Sequence, residues 1–308
     1  MEREFVQWLM SRVPASPSLR QGIGDDAAVL DFGDSRQLVV TTDLLADGVH
    51  FDASSTAWTR IGHKALAVNL SDLAAMAARP LAAFVSILLP NDHALEIAQR
   101  LVLGMQPLAT RFQTTIAGGD TNCWHGKLVI NVTAIGTSLA EGVLKRSTGG
   151  PGDIVLVTGS LGGSILGKHL DFVPRVDEAI KLVQRHNVTT GMDTTDGIVL
   201  DLNRMATASG CGAVLRLSDI PIADSAVTRS AESGRIPLEH ALYDGEDFEL
   251  LVAAPPEVAR TILADEELGF PIAAVGELVI DQGMWQISVD GCRRPLDIRG
   301  YVHGELTE

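Results

Sequence analysis

The chain has 308 residues, 46% of them hydrophobic and 20% charged, with a formal net charge of -15. That length supports two domains, or one large one, with a sizeable core. The acidic balance argues against nucleic acid or an anionic membrane surface as a partner, though divalent cations could still recruit phosphorylated ligands.

The opening stretch "MEREFVQWLMSRV" reads as an amphipathic helix with Phe5, Trp8 and Leu9 on one side, and it lacks the apolar core of a signal peptide. "GIGDDAAVL" at 22–30 then places Asp25 and Asp26 among glycine and small apolar residues, with no basic neighbour. Charge is costly to bury unless something neutralises it. "QLVVTTD" at 37–43 reads as a buried strand ending at Asp43. A helix follows from about Thr59, with Ile61, Ala65, Leu66, Leu70, Leu73 and Ala77 at helical spacing, and it stops before Pro80. Next come a strand at 81–89, too short to cross a bilayer, a helix at about 92–111, a strand "TTIAG" leading into Gly119 and Asp120, and a strand "KLVINVTAIG".

"STGGPGD" at 147–153 is the best boundary, and it divides the chain into units 1–146 and 147–308. The second unit opens with a strand "DIVLVTG", a glycine-rich "SLGGS" and a helix from about 163. Beyond lie a helix at 196–209, a strand "GAVLRL", a proline-rich connection, a strand "FELLVAA", a helix near 256–268 and a terminal hairpin around "DGCRR". The alternation of strands and helices predicts an α/β or α+β fold. Cys123, Cys211 and Cys292 are odd in number and far apart, so neither a disulfide framework nor a zinc site is expected, and a cytoplasmic location fits.

Acids recur beside small or apolar residues. Asp43 and Asp120 are expected at the carboxyl ends of strands, the edge where open α/β sheets bind ligands. Asp72 shares a helix face with Asn69. Asp193 and Asp196 flank two threonines just before a helix, where Thr195 or Asp196 could also act as a cap. Any one of these alone reads more simply as a cap, a turn or a solvated edge. As a set they suit hard divalent cations, and a site holding several Mg²⁺ ions and a triphosphate needs this many carboxylates from separate elements.

Other signals are weaker. "GGSILGKH" at 162–169 matches the spacing of a phosphate-binding P-loop, but His169 stands where a metal-binding hydroxyl belongs, and "SIL" looks like the first turn of a helix. Its glycines are better read as close packing of a helix on its strand. Arg146 alone reads as a surface arginine on a linker, and His50 as either a satisfied histidine at a strand end or a ligand.

In order along the chain, "GIGDDAAVL", "TTDLLADGVHF", "KALAVNLSDLAAMAARP", "IAGGDT", "KRSTGGPGD", "MDTTDG" and "GEDFELL" resemble the motifs of the thiamine-monophosphate kinases, of the aminoimidazole-ribonucleotide synthetase-like superfamily. The resemblance implies a two-domain fold in which the N-terminal domain binds ATP and Mg²⁺ and forms a β-barrel across a homodimer. It implies ATP-dependent phosphorylation of thiamine phosphate to thiamine diphosphate by direct in-line transfer. It also implies a metal shell of Asp25, Thr41, Thr42, Asp43, Asp72, Asp120, Asp193 and Asp196, with Asp43, Asp72, Asp120 and Asp196 supporting the chemistry. Gly119, Asp120, Arg146 and Thr195 would meet the nucleotide, and His50, Glu246 and Tyr301 the acceptor. The sequence departs from the family at Thr195, where serine is usual, and at 101–103, where many members place a tyrosine. The stretch from the glycine-rich loop to "MDTTDG" is shorter than the family leads one to expect, and the ending "GYVHG" lacks the aromatic that commonly follows its histidine. Those departures keep two alternatives open: a related ATP-using enzyme with another acceptor, or a non-catalytic metal-binding paralogue.

Overall fold

The structure, a computed structural model, describes residues 6–8, 18–31, 33, 37–288 and 291–301. Of the expected N-terminal helix, residues 6–8 are described and helical, whereas Phe5 and Leu9 lie outside the described residues.

Two sheets organise the chain. The first contains β1 (Leu19–Gln21), β2 (Ala28–Leu30), β3 (Leu38–Ala46), β4 (Arg79–Pro90), β5 (Thr115–Trp124) and β6 (Val129–Thr137), in the order β1-β2-β3-β6-β4-β5. The sheet is open, with β1 and β5 as its edges, so among the described residues one chain makes no closed barrel. Helix α1 (Trp58–Ala75) connects β3 to β4, and α2 (Ala94–Arg111) makes the crossover between the parallel strands β4 and β5. The two helices approach closely because each offers a glycine to the other. A Cβ on Gly62 would lie 2.0 Å from the Leu101 carbonyl oxygen, and one on Gly104 would lie 1.9 Å from that of Thr59.

The second sheet is built from β7 (Ile154–Thr158), β8 (Thr190–Asp193), β9 (Gly212–Arg216), β10 (Leu250–Ala254), β11 (Ile272–Val279), β12 (Met284–Ile287) and β13 (Arg293–Pro295). Their order is β13-β12-β9-β11-β7-β10-β8. Its helices are α3 (Lys168–Asp171), α4 (Val176–His186), α5 (Ile198–Ala208), α6 (Asp224–Ser233), α7 (Pro237–Tyr243) and α8 (Pro256–Ala264). Alternation along the strands splits the apolar side chains between two cores. Leu156, Leu250 and Val252 join a core shared with α1 and the first sheet, while Val155, Val157 and Leu251 face Ile198, Leu202 and Met205 of α5. Helix α1 is therefore the seam between the sheets, packing on α2, β3 and β6 on one side and on β8 and α4 on the other. That position explains why its residues from Ile61 to Ala75 are almost all buried.

Four expectations need correction. Asp43 does not end its strand, because β3 continues its pairing with β6 as far as Ala46 opposite Val129. Asp120 likewise lies inside β5, which runs on to Trp124 beside Pro90. The helix expected from about 163 is a short 3-10 turn (Ser164–Leu166) followed by the single turn α3. Its glycines pack on other helices instead of on the strand: a Cβ on Gly162 would meet the Ala241 nitrogen at 2.6 Å, and one on Gly163 the Ser225 backbone at 2.4 Å.

Candidate active site

Three carboxylates from three elements converge. Oxygens of Asp26, Asp72 and Asp193 all lie within 4.8 Å of one another. Asp26 comes from the loop before β2, Asp72 from the last turns of α1, and Asp193 from the end of β8, so the cluster sits on the seam between the sheets. Asp72 accepts a hydrogen bond from Thr41 Oγ1, and Asp193 accepts one from Ser71 Oγ. Arg146 supplies the positive charge. Its guanidinium pairs with Asp26 through Nε at 3.0 Å and through Nη2, and its backbone N–H donates to Asp25 at 3.4 Å.

One arginine does not balance so many acids. Burial first, and then the charges of Asp43, Asp193 and Asp26, raise Asp72 well above the usual carboxylate range. Burial and Asp26 raise Asp193 in the same way, against the pull of Ser71 and Arg146. Burial and Asp26 push Asp25 up to about 6, with Arg146 opposing, and push Asp43 up to about 6. Burial works against the charge on Arg146, but Asp26 and its neighbours outweigh it and raise the guanidinium. Carboxyls raised by burial and by one another, converging from separate elements, form a donor set of the kind a hard cation takes.

The expected metal shell is only partly assembled by one chain. Alternation along "TTD" sends Thr41 and Asp43 to the face covered by α1, and Thr42 to the other face. Thr42 Oγ1 lies 3.0 Å from Thr133 Oγ1 and is exposed. A row across the strands, Asp43–Val132–Val85–Gly119, places Gly119 on the inner face. There a Cβ would meet the Val85 carbonyl oxygen at 1.7 Å. The next row, Leu44–Asn131–Ser86–Asp120, puts Asp120 on the outer face, where it is exposed and accepts from the Asn122 side chain at 3.1 Å. Asp196 is near the end of the cluster's loop but is held by Arg204. Asp26 is the residue the expected set leaves out, although it is adjacent to Asp25 and touches more of the cluster.

A second group forms beside the first. The segments "DTTDG" and "GEDFEL" lie side by side: Glu246 N–H donates to the Thr195 carbonyl at 2.7 Å and Phe248 N–H to the Thr194 carbonyl at 2.8 Å. These bonds hold Glu246 and Phe248 in left-handed backbone, φ 61° and 51°, a conformation rare outside glycine and concentrated at functional sites. Fully buried Asp201 accepts the N–H groups of Thr195 at 2.9 Å and Asp196 at 3.0 Å, fixing that loop at the start of α5. His50 and Glu246 meet through Lys64 of α1, whose Nζ donates to both. Tyr301 is 40% exposed and joins this region through its N–H, which donates to the Asp196 carbonyl at 3.0 Å.

The P-loop-like stretch is occupied by the protein's own acids. Gly162 N–H donates to both carboxylate oxygens of Asp247 and Gly163 N–H to Asp244, while Lys168 Nζ bonds Glu249 and the Ser160 carbonyl. The donors a triphosphate would need are therefore taken.

Known proteins share the two-unit fold. The chain matches the AIR synthase related protein N-terminal domain over residues 24–138 and the corresponding C-terminal domain over 136–284. It is 42% identical to the thiamine-monophosphate kinase of Rhodopirellula baltica over 99% of this chain and 98% of that protein. The thiamine-monophosphate kinase of Escherichia coli is 33% identical over 92% of this chain and 91% of its own length. Among solved structures, "AaThiL complexed with AMPPCP and TMP" superposes with a TM-score of 0.83 at 26% identity, covering 98% of this chain and 96% of that one.

Proposed function

We infer the function from kinship and site together: this chain belongs to the thiamine-monophosphate kinase family, and it transfers a phosphoryl group from ATP to thiamine phosphate, giving ADP and thiamine diphosphate. The observation that carries the reading is the Asp26–Asp72–Asp193 cluster, whose donors suit a hard divalent cation and whose charge exceeds what Arg146 neutralises.

The donor set fits Mg²⁺. Asp26, Asp72 and Asp193 would hold it, with Asp25, Asp43 and Thr41 beside them. A cation held by these residues would supply neutralisation of the phosphate charge. The residues of the chain do the positioning. Arg146 offers a guanidinium fork to a phosphate once the nucleotide competes with Asp26. Gly119, where no side chain fits, lets backbone approach the nucleotide. Thr195 and Asp196 face it from the loop fixed by Asp201, and Arg204 balances Asp196 until a cation arrives. His50, Glu246 and Tyr301 form the acceptor pocket. The attacking atom is already an ionised phosphate oxygen, so no strong general base is required.

In this reading the protein works as a cytoplasmic homodimer, with functional units at 1–146 and 147–308. The support for the dimer is the outer face of the first sheet, which exposes Leu44, Leu81 and Phe84 beside the free edge of β5. Thr42 and Asp120 share that face, so they serve the site only if dimerisation covers it. Among the described residues no helix is long and apolar enough to cross a membrane.

Incubation with ATP, Mg²⁺ and thiamine phosphate tests the proposal. Stoichiometric ADP and thiamine diphosphate are expected. ATP turnover only with another acceptor, or ATP binding with no turnover, would replace it.

A further inference from the structure

We propose that Lys64 is a positioning residue for the acceptor: its ammonium ties the Glu246 carboxylate in the C-terminal unit to the His50 backbone in the N-terminal unit, and so sets the width of the pocket between them. The inference rests on the acceptor-pocket assignment above.

Lys64 is 0% exposed, an unusual place for a lysine. A buried ammonium persists only where acceptors surround it, and removing it leaves its partners unpaired. Its two acceptors are both pocket residues. Nζ lies 2.8 Å from the His50 carbonyl oxygen and 2.5 Å from Glu246 Oε1. Neither partner could hold its place equally well without it. His50 follows the end of β3, in a turn where its N–H donates to the Ala46 carbonyl and its Nδ1 accepts from the Ala46 N–H at 3.1 Å. The Lys64 bond anchors that turn to α1. Glu246 sits in left-handed backbone, pinned on one side by Thr195. Its side chain is 33% exposed, so part of the carboxylate faces solvent while Lys64 holds the other part. Without Lys64 the carboxylate is free to rotate towards water.

The geometry also separates this role from the metal cluster. Asp72 lies two turns further along the same helix and is tied to Thr41, with no bond to Lys64. Loss of the Lys64 ammonium therefore weakens recognition of the acceptor, and leaves the groups that neutralise the transferred phosphoryl in place. An apolar side chain of similar length fills the same space, so a purely space-filling role would survive its replacement.

The test is steady-state kinetics of the full chain as Lys64→Met, Glu246→Gln and the double variant, with thiamine phosphate and ATP varied separately. Lys64→Met is expected to raise the KM for thiamine phosphate about tenfold, with kcat and the KM for ATP changing less than about twofold. Because Lys64 acts through Glu246, the double variant is expected to be no worse than the worse single one. Should Lys64→Met fail to fold, Lys64→Gln, which can donate to one partner but not both, is judged by the same criteria. An unchanged KM for thiamine phosphate, an equal loss in kcat, or additive effects in the double variant would overturn the inference. A wild-type protein that does not phosphorylate thiamine phosphate overturns the functional assignment and this inference together. Wild-type turnover with an unmoved acceptor KM overturns the inference alone.

Discussion

Replacing Asp43 by asparagine isolates the repulsion stored in the metal-free site. Burial first, and the charge of Asp26 second, push the Asp43 carboxyl from 3.8 to about 6. A raised folded-state pKa means that the folded protein binds this proton more tightly than the unfolded chain does. Asp43 therefore favours folding fully below pH 4, and that contribution is lost as pH rises towards 6. At pH 7 the ionised carboxylate opposes folding by about 2 kcal/mol, once partial access of water to a half-buried side chain is allowed for. Asparagine keeps the shape and cannot ionise. In EDTA, urea denaturation should find Asp43→Asn more stable than wild type by about 2 kcal/mol at pH 7, and equal to it near pH 4. Addition of Mg²⁺ should reverse the order, because wild type gains binding energy that the variant lacks. A variant less stable than wild type at pH 7 in EDTA, or a difference independent of pH, would refute this account of the cluster.

Three further outcomes can be measured. Asp72→Asn should keep its fold and lose turnover by orders of magnitude across a Mg²⁺ titration, because it removes charge aimed at the transferred phosphoryl; wild-type turnover would take Asp72 out of the site. Gly104→Ala forces a methyl against the Thr59 carbonyl oxygen at 1.9 Å and should destabilise the protein by about 3 kcal/mol or more, as read by denaturation midpoint. Phe84→Asp puts a charge in the centre of the exposed sheet face, and light scattering at micromolar concentration should then find monomers where wild type forms dimers; a wild type already monomeric would remove the dimer from the proposal.

Sequence periodicity was most informative where one face of an element is buried. The helix read from Thr59 is α1 from Trp58, and the strands read at 81–89 and 127–136 are β4 and β6 to within a few residues. Strand β8 is four residues long and wholly buried, too short for any period to register. Strand β11 carries a bulge between Ala274 and Gly276, which breaks its alternation. Helix α4 is different: Val176, Ala179, Ile180 and Val183 recur at helical spacing and were there to be read. Helix α6 is polar, with Ala226 its one buried residue, and α7 is only seven residues long, too short for a helical period to register.

The site was legible as a list of acids and illegible as an arrangement. Asp25 and Asp26 are adjacent, so nothing in the sequence says which one reaches Asp72 and Asp193; the answer depends on Arg146, 120 positions away from Asp26, whose guanidinium turns to that side. The register of β5 decides the fate of Asp120 in the same way. One residue of alternation separates Gly119 on the inner face from Asp120 on the outer. Lys64 shows the opposite case, a residue hidden inside a strongly apolar helix because its partners, a backbone oxygen and a carboxylate, come from distant segments. Lys64 finds its counter-charge in Glu246, whereas the acidic cluster keeps charge that its neighbours leave unresolved. The acids of the cluster raise one another's pKa values, and Arg146 offsets only part of that repulsion. A fold selected for stability alone would replace such groups with apolar ones. Their presence on the seam between the sheets is explained if, as proposed, the missing positive charge arrives with a metal-nucleotide complex, whose binding relieves the repulsion.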